Sequence, residues 1–245
     1  MVCIKEIFTG NIQHTETVTE HFYTPHLSGQ SPALCVIYCS DSRENIHIIS
    51  NLEPKMGEIF TIENAGNIID GSTSAIGSIT YCLAHLKTKE LLIIGHTSCG
   101  AIKAVFQPYE KDHKEIADHI RCLENVKKIT LHTISKMEGK NITVQDIIAS
   151  DRYLANASEI NVDYQCEFMK ALLKKQGIEG IKIYGAIHDL NGIYGKKNGA
   201  LIMTNESVPA QVPSSRKSKL ADYGKERSIK DLIEELNIAF FSTHI

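Results

Sequence analysis

The sequence predicts an α/β protein with a mainly parallel central sheet flanked by helices, and three observations predict it. Short apolar runs of strand length recur at residues 33–38, 90–95 and 181–187. Stretches with helical spacing separate them, as at Ala75, Ile76, Ile79, Leu83 and Leu86. Such β-α-β-α alternation implies crossover connections, which make neighbouring strands parallel. Finally, two of the runs end in loops crowded with reactive groups, Cys39-Ser40-Asp41-Ser42-Arg43 and His96-Thr97-Ser98-Cys99-Gly100. Open α/β sheets build their sites at the carboxyl edge of the strands, so both loops point to one site.

Composition bounds what that site can serve. The chain has 245 residues, 42% of them hydrophobic and 22% charged, ordinary values for a globular protein with a real core. A formal net charge of -3, with no basic run interleaved with aromatics, argues against a nucleic-acid partner. No stretch approaches about 18 uninterrupted apolar residues, so no membrane span is expected. The first eight residues include Glu6 and lack a long apolar core, which is unlike a signal peptide. Seven scattered cysteines fit a reducing compartment better than a disulfide framework, and cytoplasmic is the expected location.

In chain order, residues 1–29 read as an amphipathic helical arm, stopped by Gly29 and packed on the body or on a partner subunit. Its histidines His14, His21 and His26 are spaced by seven and five, not as a tight i, i+4 ligand pair. Gln30-Ser31-Pro32 turns into a first strand that ends at Cys39, and residues 44–49 suit a short helix. Residues 58–62 form a second strand before the tight loop Asn64-Ala65-Gly66-Asn67, where Gly66 permits unusual backbone angles. One helix is expected over 72–86, with Cys82 in its core face, and another over 101–106 after the strand at 90–95.

Residues 108–161 are polar and helical, reading as a solvated face with His113 and His119 on the surface. A separate helix covers 162–176 and stops at Gly177; a core strand follows at 181–187, a turn begins at His188, and an edge strand covers 200–203. Residues 208–218 are a linker, and 228–237 place Ile229, Leu232, Ile233 and Leu236 on one face of a tail helix, for packing or oligomer contact. The organisation is thus an arm (1–29), a central domain (30–206) and a linker with tail helix (207–245).

Cys39, His96 and Cys99 are three zinc ligands, and three protein ligands leave a fourth position for water, the pattern of a catalytic zinc. A closed structural site would need a fourth ligand, for which Asp41 is the nearby candidate, yet Arg43 is placed to hold that carboxylate by a bidentate pair. A thiol-redox role for Cys39 and Cys99 is the other alternative. Cys99 lies at an expected helix N-terminus, which favours a thiolate. Two thiolates cancel the charge of Zn²⁺, so a bound water should stay above the pKa of about 7 usual for catalytic zinc, with activity rising toward alkaline pH.

The pattern C-x-D-x-R followed by H-x-x-C resembles the zinc-binding signature of the β-class carbonic anhydrases. The likeness runs from about Gln30 to Leu201 and includes Asn64-Ala65-Gly66-Asn67, Gly77-Ser78-Ile79-Thr80-Tyr81 and Tyr184-Gly185-Ala186-Ile187-His188-Asp189-Leu190-Asn191-Gly192. The resemblance implies one Zn²⁺ per subunit on Cys39, His96 and Cys99, and reversible hydration of CO₂ to bicarbonate and a proton by zinc-bound hydroxide. It implies that Asp41 accepts a hydrogen bond from that hydroxide, that Arg43 orients Asp41, and that Gln30 and the Gly100 amide bind substrate oxygen. Gln30 is a feature of the plant-like subgroup. Phe60 and Tyr81 match apolar pocket residues from the neighbouring subunit, implying a homodimer or higher homo-oligomer. Glu63 stands where the family usually has Arg or Lys, and His188 where it has an aromatic. Relatives of the same fold hydrolyse COS or CS₂, and a silent zinc-binding scaffold is the reading from another class.

Overall fold

Apolar strand-length segments assemble into a five-stranded sheet of order β2-β1-β3-β4-β5 in this computed structural model. It describes residues 3–53, 55–111, 113–195, 197–204, 229–238 and 240. The strands are β1 (Leu34–Cys39), β2 (Ile59–Asn64), β3 (Glu90–His96), β4 (Lys182–Asp189) and β5 (Ala200–Met203). The first four run parallel, and β5 pairs antiparallel with β4 at the edge. From β1 the chain steps out to β2 and then crosses to β3 on the other side of β1. The ends of β1 and β3 therefore flank the point where the winding reverses, and Cys39 and His96 are those ends.

Helices cover both faces. Facing one way, Cys35, Ile37, Leu91 and Ile93 pack against α4 (Thr73–Thr80) and α9 (Asp151–Gln176). Facing the other, Val36, Tyr38 and Ile94 pack with Ile46 of α3 (Ile46–Ser50), the alternation that a pleated strand imposes. At Gly95 and Gly185 a Cβ would stand 2.8 Å and 2.7 Å from the side chain of Val162, so α9 lies directly on β3 and β4. Between β3 and α9 come α5 (Gly100–Ala104), α6 (Lys114–Arg121), α7 (Glu124–Glu138) and α8 (Val144–Ile148).

Several sequence expectations change here. The helix expected over 162–176 is the second half of α9, which begins at Asp151 after the N-cap Ser150. Its first half is polar but not solvated: Asn156, Ser158, Glu159 and Asn161 are fully buried. These residues stay inside because most find hydrogen-bond partners there, Ser158 on the Leu154 carbonyl and Glu159 beneath the Tyr194 hydroxyl. In α7 likewise, Val126, Ile129 and Ile134 sit in the core. The helix expected over 72–86 ends as α4 at Thr80 and continues as one wide turn, Tyr81–His85, closed by Leu86 N–H on the Tyr81 carbonyl. His188 is a buried strand residue rather than a turn residue.

The arm is helical, as α1 (Ile4–Thr17) and the single turn α2 (Glu20–Tyr23). None of the residues of α1 is buried. The tail helix is α10 (Ile229–Glu235), whose Leu232 and Ile233 enter the cluster that also holds Ile102, Phe106, Ile129 and Cys99. The linker expected at 208–218 lies outside the described residues.

Candidate metal centre

Cys39 ends β1, His96 ends β3, and Cys99 is the N-cap of α5. Ser98 between the last two takes a left-handed backbone, φ 59°, which turns the chain back so that Cys99 faces the strand ends. The ligand atoms of Cys39, His96 and Cys99 lie within 4.8 Å of one another, the one such group among the described residues. All three residues are buried.

The donor set fits zinc. Two sulfurs on one tetrahedral zinc, each bonded at about 2.3 Å, stand about 3.8 Å apart, and Cys39 Sγ and Cys99 Sγ are 3.9 Å apart. His96 Nδ1 lies 3.0 Å from the Thr97 carbonyl, which fixes it as the N–H nitrogen. That leaves Nε2 with its lone pair, buried and without a hydrogen-bond partner.

Electrostatics among the cluster's own groups favour one thiolate first. The Cys39 thiol is pulled down to about 4, chiefly by the hydrogen bond from Cys99, against burial, with His96 and the Gly66 amide adding. Cys99 is pushed up by the same partner and by burial, although the Ala101 and Ile102 amides pull the other way. The sequence expectation that the helix N-terminus favours a Cys99 thiolate is thus overridden, because the Cys39 sulfur 3.9 Å away ionises first. Burial would lower the His96 imidazole, but the neighbouring Cys39 sulfur and its charge, with Glu44, raise it overall.

Asp41 and Arg43 form the clamp expected of them. Asp41 Oδ1 accepts from Arg43 N at 3.0 Å and Nε at 2.8 Å, and Oδ2 accepts from a terminal guanidinium nitrogen at 2.6 Å. Those bonds hold the Asp41 carboxyl far below the usual carboxylate range despite some desolvation. Its Oδ2 stands 4.0 Å from His96 Nε2, beside the cluster and outside the ligand triad. Arg43 also donates to the Ser98 carbonyl at 3.3 Å, tying the two motif loops together. Gly100 follows Cys99 with open space around its α-carbon.

The remaining expected residues lie elsewhere in the chain. Gln30 precedes β1, at the amino edge of the sheet, so the length of a six-residue strand separates it from Cys39. Phe60 is opposite Cys35 near the start of β2, and its ring lies 6.4 Å from that of Tyr81. The chain does not bring these three to its own Cys–His–Cys cluster. Glu63 accepts from the Tyr38 hydroxyl at 2.5 Å. Sequence reasoning missed Glu44, a buried carboxylate 3.9 Å from His96 Nδ1 and 2.9 Å from His188 Nδ1. Glu44 and His188 are 144 positions apart, so no local spacing announces the pair.

The chain matches the family model described as carbonic anhydrase over residues 34–193. It is similar to a carbonic anhydrase of Synechocystis sp., 32% identical over 120 residues, which cover 46% of this chain and 43% of that protein. One of Helicobacter pylori is 32% identical over 136 residues, 50% of this chain and 61% of that protein. The chain thus spans about half the length of these curated relatives. Among solved structures it resembles a Coccomyxa β-carbonic anhydrase in complex with acetazolamide, with TM-score 0.63 and 18% identity over 98% of this chain and 100% of that one. It also resembles a structure described among two tetrameric β-carbonic anhydrases of Sordaria macrospora, with TM-score 0.57 and 20% identity over 81% and 92%. At such identities the likeness is one of fold.

Proposed function

The chain belongs to the β-class carbonic anhydrase family, and on that premise we propose that it catalyses the reversible hydration of CO₂ to bicarbonate and a proton. The observation that carries this is a buried Cys39–His96–Cys99 cluster with an Arg43-clamped carboxylate, Asp41, 4.0 Å from His96 Nε2. Cys39, His96 and Cys99 would hold the zinc, which supplies Lewis-acid activation of a water molecule at moderate pH.

The rest of the chemistry belongs to the chain. Asp41, kept ionised by Arg43, is an acceptor-only group beside the open side of the cluster. It orients the attacking water by accepting a hydrogen bond from it, so that a lone pair faces CO₂. The Gly100 amide, the first N–H of α5, has no partner within its own helix and is free to donate to a substrate oxygen. A scaffold protein has no use for such a carboxylate, which weighs against a silent zinc-binding role.

We place Gln30, Phe60 and Tyr81 in the pocket of a neighbouring subunit, making a homodimer the smallest active unit. The arm supports this: Ile4, Ile7, Phe8 and Ile12 are 58% to 74% exposed and share one side of α1. A second copy is the simplest cover for that stripe, and the Sordaria macrospora structure comes from tetrameric enzymes. No helix among the described residues is long and apolar enough to cross a membrane. All seven cysteines stand outside disulfides, which supports a cytoplasmic setting.

Stopped-flow CO₂ hydration on zinc-loaded wild type and Asp41→Ala tests the proposal. Turnover that falls by about 10²-fold or more in the variant, with zinc retained, is expected. Absence of turnover in a wild type holding one zinc per chain would overturn it and turn attention to COS and CS₂ hydrolysis.

A further inference from the structure

The loop between β2 and α4 reaches the cluster through one atom. The Gly66 N–H donates to Cys39 Sγ at 3.2 Å. That contact needs a left-handed turn, φ 79°, and a residue without a side chain, since a Cβ here would lie 3.1 Å from that of Ala101. The loop closes on itself, with Asn64 Oδ1 accepting from Ile68 N and Asn64 Nδ2 donating to the Ile68 carbonyl, at 2.7 Å and 2.8 Å. Its start is anchored beside Cys39, since Asn64 is opposite Cys39 in the β1–β2 ladder and its carbonyl accepts from Ser40 N–H at 3.1 Å, but that anchor leaves the turn at Gly66 to be held from elsewhere.

Two helices hold that turn: His119 of α6 meets the Ala65 carbonyl at 2.7 Å, and α9 reaches Gly66 itself. Asn161 and Gln165, one helical turn apart and both fully buried, face the loop. Asn161 Nδ2 donates to the Gly66 carbonyl at 2.9 Å, and its Oδ1 accepts from Gln165 Nε2 at 3.1 Å. Gln165 Oε1 accepts from the backbone N–H groups of Ile69 and Asp70 at 3.0 Å and 2.9 Å. Two amide side chains thus grip the loop at Gly66 and again at Ile69–Asp70. Burying two amides costs desolvation that an apolar pair of the same size would avoid, so the arrangement carries a requirement beyond filling space.

We infer that Asn161 and Gln165 are positioning residues for the metal centre: they hold the Gly66 N–H against the Cys39 sulfur and so fix that ligand's direction and electron density. The inference rests on the reading of Cys39, His96 and Cys99 as zinc ligands. An N–H···S bond draws charge off a thiolate. Without it the sulfur is a less directed ligand whose electrons are more easily given up.

The test is metal binding by the full-length protein, read by zinc competition against a chelator and by the sulfur-to-metal charge-transfer band after Co²⁺ substitution. In Asn161→Leu, zinc affinity is expected to fall about 10-fold or more, and the Co²⁺ band to move to longer wavelength. Gln165→Met keeps side-chain length and volume while removing both polar ends, and the same two changes are expected if Asn161→Leu does not fold. Thr88→Val is the control. It removes a buried hydroxyl that donates to the Pro32 carbonyl at 2.8 Å, at the amino edge of the sheet. Its melting temperature should fall while zinc affinity and the Co²⁺ band stay put. Wild-type affinity and an unmoved band in either folded variant would overturn the inference. A wild type that binds no metal would overturn it together with the ligand assignment. A wild type that binds zinc normally yet hydrates no CO₂ would overturn the proposed reaction, while the shifts in the variants would still uphold the inference.

Discussion

At the carboxyl edge of the sheet, Cys39, His96 and Cys99 converge within a single chain, each fixed by its own stretch of buried backbone. At the amino edge, Gln30 lies exposed and Tyr81 is 47% exposed, beside an arm whose first helix buries none of its residues. The first region is finished; the second is a surface. The proposed metal ligation would explain the difference, because three donors must agree to within a few tenths of an ångström and one chain's core can enforce that. Gln30, Phe60 and Tyr81, on the proposal that they serve another subunit's pocket, need only be presented at an interface.

The comparison breaks most directly at the finished end. Cys39→Ser removes one of the donors, so elemental analysis should find bound zinc falling from about one per chain to near none, and CO₂ turnover should drop to the uncatalysed rate. Full zinc occupancy in that variant would mean the ions sit elsewhere. At the unfinished end the same activity should be lost by a different route. Charges placed on the arm, as in Phe8→Glu with Ile12→Glu, should shift the protein toward monomer in analytical ultracentrifugation while leaving zinc bound. Gln30→Ala should keep the oligomer and lower kcat/KM by about 10²-fold, the scale of one lost hydrogen-bond donor at a developing anion. A zinc-loaded monomer with full turnover would erase the distinction between the two ends.

A smaller effect sharpens the account of the finished end. Zinc must displace the protons its ligands carry, and each proton released adds about one to the slope of log affinity against pH. Cys39, drawn down to about 4, has already lost its proton at neutral pH. Cys99, pushed up, still holds one, so affinity must fall with falling pH. His96 is raised as well, so below its titration range it adds a second proton. Calorimetric titrations should therefore give a slope of about one at alkaline pH, steepening toward about two as the solution is acidified. A slope of two throughout would mean that Cys39 keeps its thiol proton. Turnover should rise toward alkaline pH, since two thiolates leave little charge on the metal to acidify water.

Legibility followed the same divide. The loops after β1 and β3 were readable because each residue of the Cys39–His96–Cys99 cluster lies within a few residues of an apolar run with strand length, and the parallel sheet does the rest. The Asp41–Arg43 clamp was readable for the same reason, being a contact across two residues. Glu44 with His188, and Asn161 with Gly66, were not, because they join segments 144 and 95 positions apart. The first half of α9 misled by composition: Asn156, Ser158, Glu159 and Asn161 look solvated in sequence, yet they are buried in the protein. For Ser158, Glu159 and Asn161 polarity marked hydrogen bonding and not exposure.

The tail gives the smallest effect on the site and the cleanest contrast with it. Leu232 in α10 is 3% exposed and packs in the cluster that includes Cys99, so Leu232→Ala should cost about 2–5 kcal/mol of stability. Lys136, which bridges to Glu235 of α10 at 2.6 Å with its side chain 48% exposed, should cost under about 1 kcal/mol when changed to Ala, because water screens such a pair. Thermal melts followed by circular dichroism would rank the two. Zinc content should be unchanged in both variants, because the ligands are fixed by β1, β3 and the Ser98 turn, to which α10 adds only a wall of the shared apolar cluster. If Leu232→Ala instead released zinc, that wall would belong to the metal centre, and the carboxyl edge of the sheet would not be finished without the tail.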